Sequence, residues 1–208
     1  MSRDVIRILC AMDAGNVEFQ LALQCAPLIT GLKISNLLLV QKRQVYKLWK
    51  LLGQDRFSRY VLYTDKEKSV ILLYQRRELC RYLLRNDIWE FMLRCGYREK
   101  NPESILWTFA CRYRRYRIGK QGFPHELGIL LGIPLEDVEG FIQNEGKNCL
   151  YSGYWKVYRD VTAKKNLFRM YELARELMIE LVCNGVGMEE IIDTYRLNRS
   201  ISGSGIAW

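Results

Sequence analysis

The stretch FPHELGILLGIPLEDVEGFIQNEGKNCLYSGYWKVY, residues 123–158 of the 208-residue chain, decides most of the fold assignment. It contains the only histidine of the protein, His125, and two of its four prolines. Gly132-Ile133-Pro134 separates two short segments whose apolar residues have helical spacing, and the aromatic segment 153–158 has the composition of a strand. The stretch therefore predicts two short helices followed by a strand.

The rest of the chain mixes helical and strand patterns in the same way. A β-hairpin is predicted over 59–75, where two β-rich runs surround the charged connection 65–68, and a short buried strand is predicted within 31–40. Helical spacing and capping residues predict the remaining elements as helices. They cover 4–14, the segment from Asn16 to the Ala26-Pro27 step, 41–53, 77–94 with an interruption near Asn86-Asp87 where a new helix can be capped, the segment from Asn101 into the run 111–120, 160–184 and 188–195.

These elements indicate an α+β fold with a small, mainly antiparallel sheet and helices packed around it. We expect a single domain over residues 1–200, because no linker or repeat interrupts them, and a flexible tail over 201–208. The hydrophobic fraction of 49% and charged fraction of 26% are typical of globular proteins. No apolar run approaches the ~20 residues of a membrane span, and the N-terminus lacks a signal-peptide pattern, so we expect a cytoplasmic protein without membrane contact.

Cysteine usage and net charge restrict the class of site. Seven cysteines are scattered along the chain without a C-x-x-C pair, which argues against a metal site and fits free thiols in a reducing compartment. Lysine and arginine exceed aspartate and glutamate to give a net charge of +9. This basic excess favours an anionic partner, whether a small molecule or cofactor, a nucleic acid or an acidic protein.

Three segments together resemble one protein family. FPHELGILLGIPLEDVEGFI, the following GKNCLYSGYWKVYRD and the earlier QCAPLITGLKISNLL are similar to a bacterial family of unknown function, found mainly in anaerobic Gram-positive bacteria. The resemblance covers most of the chain but implies no activity and no cofactor. Relatives often have Cys-x-x-Cys where this chain has Cys149-Leu150-Tyr151-Ser152, and the missing second thiol argues against a dithiol or metal role.

His125 and Cys149 are the candidate catalytic pair. His125 follows a proline and precedes Glu126 at a helix start, where the helix dipole favours the carboxylate and disfavours the imidazolium. If Cys149 folds close to it, His125 would serve as acid or base, with Asn148 orienting the pair. The alternative is that His125 and Glu126 cap a helix while Cys149 fills a gap in the core.

The candidate ligand-binding residues are aromatic or cationic. On a strand, Tyr154, Lys156 and Tyr158 would share one face, which suits an anionic or aromatic ligand. Arg112 and Arg115 belong to the basic run 112–120 and are further ligand-binding candidates, and Lys156 or Arg115 would serve as the anion clamp. Cys25, in the N-terminal element of the family resemblance, would adjoin this site. The first hypothesis is therefore a small-molecule or cofactor-binding protein, which leaves open whether a reaction is catalysed and which cofactor it uses.

Two alternatives remain. The segment 112–120 alternates cations with tyrosines and would bind nucleic acid, although on a helix these side chains point in different directions. The Gly128–Pro134 segment and the helix after it have the residue pattern of a helix-turn-helix. However, that second helix presents Glu136, Asp137 and Glu139, which phosphates would repel. The other alternative is an adaptor that docks an acidic partner, such as a redox carrier, through its basic surface.

Overall fold

The structure is a computed structural model that describes residues 16–53 and 56–202. The predicted helix over 4–14 and the predicted tail beyond residue 202 lie outside these residues. The chain falls into two compact units: residues up to 75 together with residues from 170 onward form the first, and 76–169 form the second. A small antiparallel sheet accompanied by helices confirms the α+β fold class. The single domain over 1–200 stays a prediction.

The secondary structure follows the predicted order with adjusted bounds. The elements are α1 (Val17–Ile29), β1 (Ser35–Gln41), a 3-10 turn (Lys42–Gln44), α2 (Val45–Leu52), β2 (Ser58–Thr64), β3 (Lys68–Tyr74), α3 (Arg76–Leu83), α4 (Asn86–Arg94), α5 (Pro102–Arg117), α6 (Leu127–Leu130), α7 (Leu135–Gln143), β4 (Tyr151–Ser152), β5 (Lys156–Val157), α8 (Val161–Cys183) and α9 (Met188–Ser202). None of the described helices is long and apolar enough to cross a membrane.

The first unit is built on a three-stranded antiparallel sheet with the order β1-β3-β2. Its central strand β3 has buried side chains at five successive positions from Ser69 to Leu73, which agrees with a strand paired on both edges. The predicted hairpin turn is closed by Asp65, whose carboxylate accepts hydrogen bonds from the backbone N–H groups of Glu67 and Lys68. At the outer edge of β1, the side-chain amide of Gln24 bonds to both the N–H and the C=O of Leu39.

Helix α1 starts as predicted but ends later. Asn16 is its N-cap, because the side-chain oxygen accepts the N–H of Glu18 at 2.9 Å. The Ala26-Pro27 step does not break the helix, which continues to Ile29. Pro27 lies in the last turn, where it removes one backbone donor, and the bond that ends the ladder, from the N–H of the C-cap residue Thr30 to the Ala26 carbonyl, still forms at 2.9 Å.

The core of the first unit is a continuous cluster of buried apolar side chains. It joins α1 to β1, α2 and β3, to the part of α8 from Ala174 to Ile179, and to the beginning of α9. Leu21, Leu28, Leu38, Leu48 and Ile71 are among its fully buried members. Apolar burial on this scale stabilises by about 25 cal/mol per Å² removed from water.

In the second unit, the predicted helix start at Asn101 is confirmed by its side-chain oxygen, which accepts the N–H groups of Glu103 and Ser104. The predicted strand over 153–158 is wrong in extent. Only Lys156 and Val157 are strand residues, paired with Tyr151 and Ser152 in a tight two-stranded hairpin. Composition indicated β structure correctly, but the turn around Gly153 leaves room for only two residue pairs.

Candidate functional site

A cleft of about 410 Å³ opens in the second unit. Its walls come from the loop before α6, from α6 and α7 with their connecting turn, and from the β4–β5 hairpin. The lining is mainly apolar and aromatic, with one imidazole, one lysine and one carboxylate. The lining residues are Phe123, His125, Leu127, Gly128, Leu131, Ile133, Asp137, Val138, Phe141, Ser152, Gly153, Trp155 and Lys156.

The back of the cleft depends on close packing between α6 and α7. A Cβ at Gly128 would lie 2.8 Å from a methyl group of Val138, so the two helices approach closely only because residue 128 has no side chain. Gly132 adopts φ 68° at the end of α6, and the next N–H, that of Ile133, returns to the Gly128 carbonyl at 2.9 Å. This turn redirects the chain into α7.

Asp137 fixes the hairpin wall to α7. Its carboxylate is 1% exposed and accepts hydrogen bonds from the indole N–H of Trp155 at 2.7 Å and from the backbone N–H groups of Tyr158 at 2.8 Å and Arg159 at 3.3 Å. A buried carboxylate needs such donors, because without them its desolvation would cost several kcal/mol. Asp137 therefore determines where the hairpin lies relative to the helix.

Two further contacts hold the hairpin in place. The ring of Tyr158 lies against Gly140 of α7, where an added Cβ would be 2.6 Å from the ring, and its hydroxyl donates to the Lys147 carbonyl at 3.0 Å. The backbone at Gly153 lies directly on the ring of Phe168 in α8. Trp155 makes an edge contact with the same ring at a centroid distance of 4.5 Å.

His125 and Lys156 provide the polar side chains at the mouth of the cleft. His125 is exposed, and its ring contacts Phe123 at 5.4 Å and Phe141 at 5.6 Å between centroids. The ammonium of Lys156 donates to the Gly146 carbonyl at 2.5 Å and lies 5.9 Å from the centre of the Phe141 ring. An imidazole and an ammonium therefore flank the same aromatic side chain.

Glu126, the other predicted residue at this helix start, lies in an internal ion pair. It is 5% exposed, and its carboxylate accepts from the Arg112 guanidinium at 2.9 Å and from the Tyr97 hydroxyl at 3.2 Å. The Arg112 guanidinium stacks 4.6 Å above the Tyr97 ring. Burial, followed by the nearby Glu126 charge, raises the pKa of Tyr97 well above its ordinary value. Two predicted site residues, Glu126 and Arg112, thus bind each other.

The remaining predicted residues of the second unit do not line the cleft. Cys149 is half-buried, and Asn148 is exposed with φ 54°, a left-handed conformation that asparagine tolerates. Tyr154 packs against Phe168 at 5.5 Å, and Arg115 is exposed on α5. Burial, followed by the Cys149 and Asp137 charges, raises the pKa of Tyr158.

Cys25 belongs to the first unit, where it is fully buried. Its sulfur lies 3.9 Å from the Asn36 side-chain nitrogen, and burial raises the pKa of the thiol to about 12. The Asn36 oxygen accepts from the Lys33 ammonium at 2.9 Å, and burial lowers the pKa of Lys33 to about 8. Such a thiol is a poor nucleophile, because only the thiolate reacts.

The sequence reasoning missed the residue that organises the cleft. Asp137 was considered only as a charge that would repel phosphates, and Phe123 and Phe141 were not considered at all. The available signal was an acidic residue in the first turn of a helix, followed by a Trp-containing hairpin whose indole needs an acceptor. Residues 16–53 and 56–202 contain no group of three or more His, Cys, Asp or Glu side chains that could hold a metal ion.

Comparison with known proteins assigns the chain to a protein family. The model of a family described as "protein of unknown function (DUF3793)" matches residues 21–192. No curated protein and no solved structure matches the chain. The match confirms the resemblance to an uncharacterised family, whereas the bacterial origin stays a prediction. Because the family model covers well over half of the sequence, the chain belongs to the DUF3793 family.

Proposed function

We propose that the protein binds a small molecule in the cleft of the second unit, and that this ligand combines a flat apolar body with one anionic group. The main observation in support is a cleft of about 410 Å³ whose mainly apolar lining includes one cation, Lys156, and one imidazole, His125. Clefts of this size and lining are the usual form of small-molecule sites.

The aromatic side chains at the mouth support a flat ligand. Phe123 is 43% exposed, and Phe141 and Trp155 are half-buried, so part of each ring remains accessible. A planar molecule that covers these rings would remove apolar surface from water at both partners. Leu127, Leu131 and Ile133 extend the apolar surface further into the cleft.

The charges of the lining support an anionic group on that ligand. Asp137 lines the cleft, but its carboxylate accepts three hydrogen bonds from the protein. Lys156 has one hydrogen bond, to the Gly146 carbonyl, and an ammonium can donate three. His125 adds a ring that can donate a hydrogen bond. An anion at the mouth would therefore bind to Lys156 and, through a proton of the ring, to His125.

Two fluorescent probes test this proposal. 1-Anilinonaphthalene-8-sulfonate has an aromatic body and a sulfonate, and N-phenyl-1-naphthylamine has the same body without the charge. We expect both to bind to the purified protein. Lys156→Met should weaken sulfonate binding by about tenfold and leave the neutral probe within about twofold. Ser152→Trp, which fills the cleft from an exposed position, should weaken both.

Lys147→Met is the matched control. Lys147 is an exposed lysine of the loop between α7 and β4 that does not line the cleft, and its side chain pairs only weakly with Glu145 at 3.4 Å. Binding of both probes should be unchanged in this variant, and the thermal unfolding midpoint of each variant would be compared with the parent. Equal losses in Lys147→Met and Lys156→Met, or unchanged binding in Ser152→Trp, would contradict the proposal.

A catalytic form of the proposal assigns His125 as acid or base and Cys149 as the thiol, and it requires the bound ligand to extend beyond the cleft lining to reach the Cys149 sulfur. The cytoplasm, which keeps thiols reduced, is the compartment that suits this role. Mass spectrometry of the protein after treatment with a mild alkylating agent would compare Cys149 in the parent and in His125→Ala. A pH-dependent loss of Cys149 modification in the variant would support the pair, and identical profiles would contradict it.

A further inference from the structure

A second basic surface, which the sequence reasoning did not weigh, lies on α2 and the turn before it. Arg43, Tyr46, Lys47 and Lys50 are all exposed, and their spacing of three, four and seven residues brings them to one face of the helix. We refer to these four residues as the α2 face. It belongs entirely to the first unit, and none of its residues lines the cleft described above.

The charged residues of the α2 face are all cationic. No acidic residue occurs anywhere between Gln41 and Gly53, and Lys42 adds a further exposed cation. In the part of the chain that the structure describes, neither Lys47 nor Lys50 forms an ion pair, and Arg43 bonds only to the neutral side chain of Gln41 at 2.8 Å. These charges are therefore available to a partner that carries several negative charges.

Tyr46 gives the α2 face a chemistry that a plain cluster of lysines lacks. It is 80% exposed and lies among the cations. An aromatic ring held in water among positive charges is the combination that binds single-stranded nucleic acid, since phosphates pair with the cations while an unstacked base covers the ring. Bases inside a duplex are already stacked and cannot reach such a ring.

The opposite side of α2 argues against a membrane surface as the partner. Leu48, Leu51 and Leu52 are at most 6% exposed and belong to the core of the first unit. A helix that lies in a bilayer interface needs an apolar face to insert among the lipids. In α2 that face is already used for packing, so only the cationic face with its single tyrosine remains.

We propose that the α2 face binds single-stranded nucleic acid, with backbone phosphates at Arg43, Lys47 and Lys50 and one base stacked on Tyr46. The basic run 112–120 is less suited to this role. Arg112 pairs with the buried carboxylate of Glu126, which removes one cation from the run. Among the exposed arginines of α5, Arg114 and Arg117 share a face by their spacing of three residues, but Arg115 lies on another, so two cations share a face here against three on α2.

Fluorescence anisotropy with a labelled oligothymidylate, measured on the full chain across a series of salt concentrations, tests the phosphate contacts. Lys47→Gln/Lys50→Gln should weaken binding about tenfold and reduce the slope of log K against log salt by about 1.4, because each lost phosphate contact on a single strand contributes about 0.7. Arg115→Gln/Lys120→Gln removes the same net charge from the basic run and should leave both quantities nearly unchanged.

The base contact is tested separately. Tyr46→Ala should weaken oligothymidylate binding several-fold, Tyr46→Phe should restore it, and neither change should affect an abasic strand with the same number of phosphates. The proposal is overturned if the Arg115/Lys120 double variant loses as much affinity as the Lys47/Lys50 variant, or if Tyr46→Ala binds like the parent. It is likewise overturned if phosphatidylserine vesicles bind to the α2 face while oligonucleotides do not.

Discussion

The two units of the chain bury different kinds of groups. In the described part of the first unit the buried polar residues are Ser35 and Ser69, and no charged side chain is buried. The second unit buries Glu126, Asp137 and Lys164. Each of these three bonds to a partner from another element or loop: Glu126 to Arg112 and Tyr97, Asp137 to Trp155, and Lys164 to Glu136.

The difference shows how the second unit forms a cleft. The hydrophobic effect is non-directional. It packs the core of the first unit, but it does not fix one segment at a defined position beside a cleft. Hydrogen bonds to a buried charge tolerate only a small range of distances and angles, and leaving one unmade costs free energy. They therefore hold the hairpin at a fixed position. Glu136 illustrates the same point: burial is the largest single effect and tends to raise its pKa. The Lys164 hydrogen bond, a backbone hydrogen bond and the charges of Lys164 and Arg159 together outweigh burial, and the pKa lies below the ordinary value.

The most severe test of this comparison is Asp137→Ala. It leaves the indole N–H of Trp155 and the Tyr158 N–H without their acceptor, and we expect a loss of about 3 kcal/mol in unfolding free energy. Asp137→Asn keeps one acceptor and should lose about half as much. Urea unfolding followed by tryptophan fluorescence measures both, with the exposed Glu145→Gln as the control. A cost for Asp137→Ala no larger than that of the control would refute the anchoring role.

A smaller effect is expected from Gly140→Ala. In an open helix this change is stabilising, because alanine has the higher helix propensity. Here the new Cβ would lie 2.6 Å from the Tyr158 ring, so we expect a net loss of about 2 kcal/mol. Gly122→Ala is the control, since a Cβ there meets nothing within 4 Å and φ is not positive. Thermal unfolding should separate the two variants, and a stabilised Gly140→Ala protein would show that the hairpin is free to move.

The smallest effect concerns Lys33 in the first unit. Burial lowers its pKa from 10.5 to about 8, so between about pH 8 and 10.5 the unfolded chain binds more protons than the folded protein. The unfolding free energy therefore rises with pH across this window by about 1 kcal/mol, after allowance for solvent around a half-buried amine. Below pH 8 the folded protein bears the full cost of the buried charge.

Cys25 must be removed to isolate this effect. The pKa of its thiol is raised from 9.0 to about 12, so the unfolded chain loses this proton first and the unfolding free energy falls as pH rises above 9. Cys95, Tyr82 and Tyr97 also have raised pKa values and oppose the gain equally in every variant. We therefore expect the unfolding free energy of Cys25→Ala to rise between about pH 8 and 10.5 relative to that of Cys25→Ala/Lys33→Met, measured by urea unfolding. A difference between the two variants that does not change with pH would contradict the role of Lys33.

Local signals were sufficient for much of the fold. Asn16 and Asn101 were recognisable as caps because the capping bond joins residues two or three apart. Pro27 was misjudged, since whether a helix tolerates proline in its last turn depends on packing that the sequence does not show. The hairpin length was misjudged for a similar reason, because the contact of Gly153 with Phe168 comes from another element.

The candidate site was only partly predictable. His125 and Lys156 were named from their residue types, and both line the cleft. The roles of Asp137 and Glu126 depend on bonds to residues 18 and 14 positions away, and spacing alone does not select those partners among the many donors of the chain. Pairing between distant polar groups is therefore the information that only the folded structure supplies.

The amide of Gln24 has a consequence for the behaviour of the protein at high concentration. β1 is an outer strand of its sheet, and Leu39 in it is 44% exposed, which makes the strand a place where a second molecule would add its own strand. Gln24 already satisfies the N–H and the C=O of Leu39, as a neighbouring strand would. This single side chain therefore occupies the position at which a strand of a second molecule would bond to Leu39.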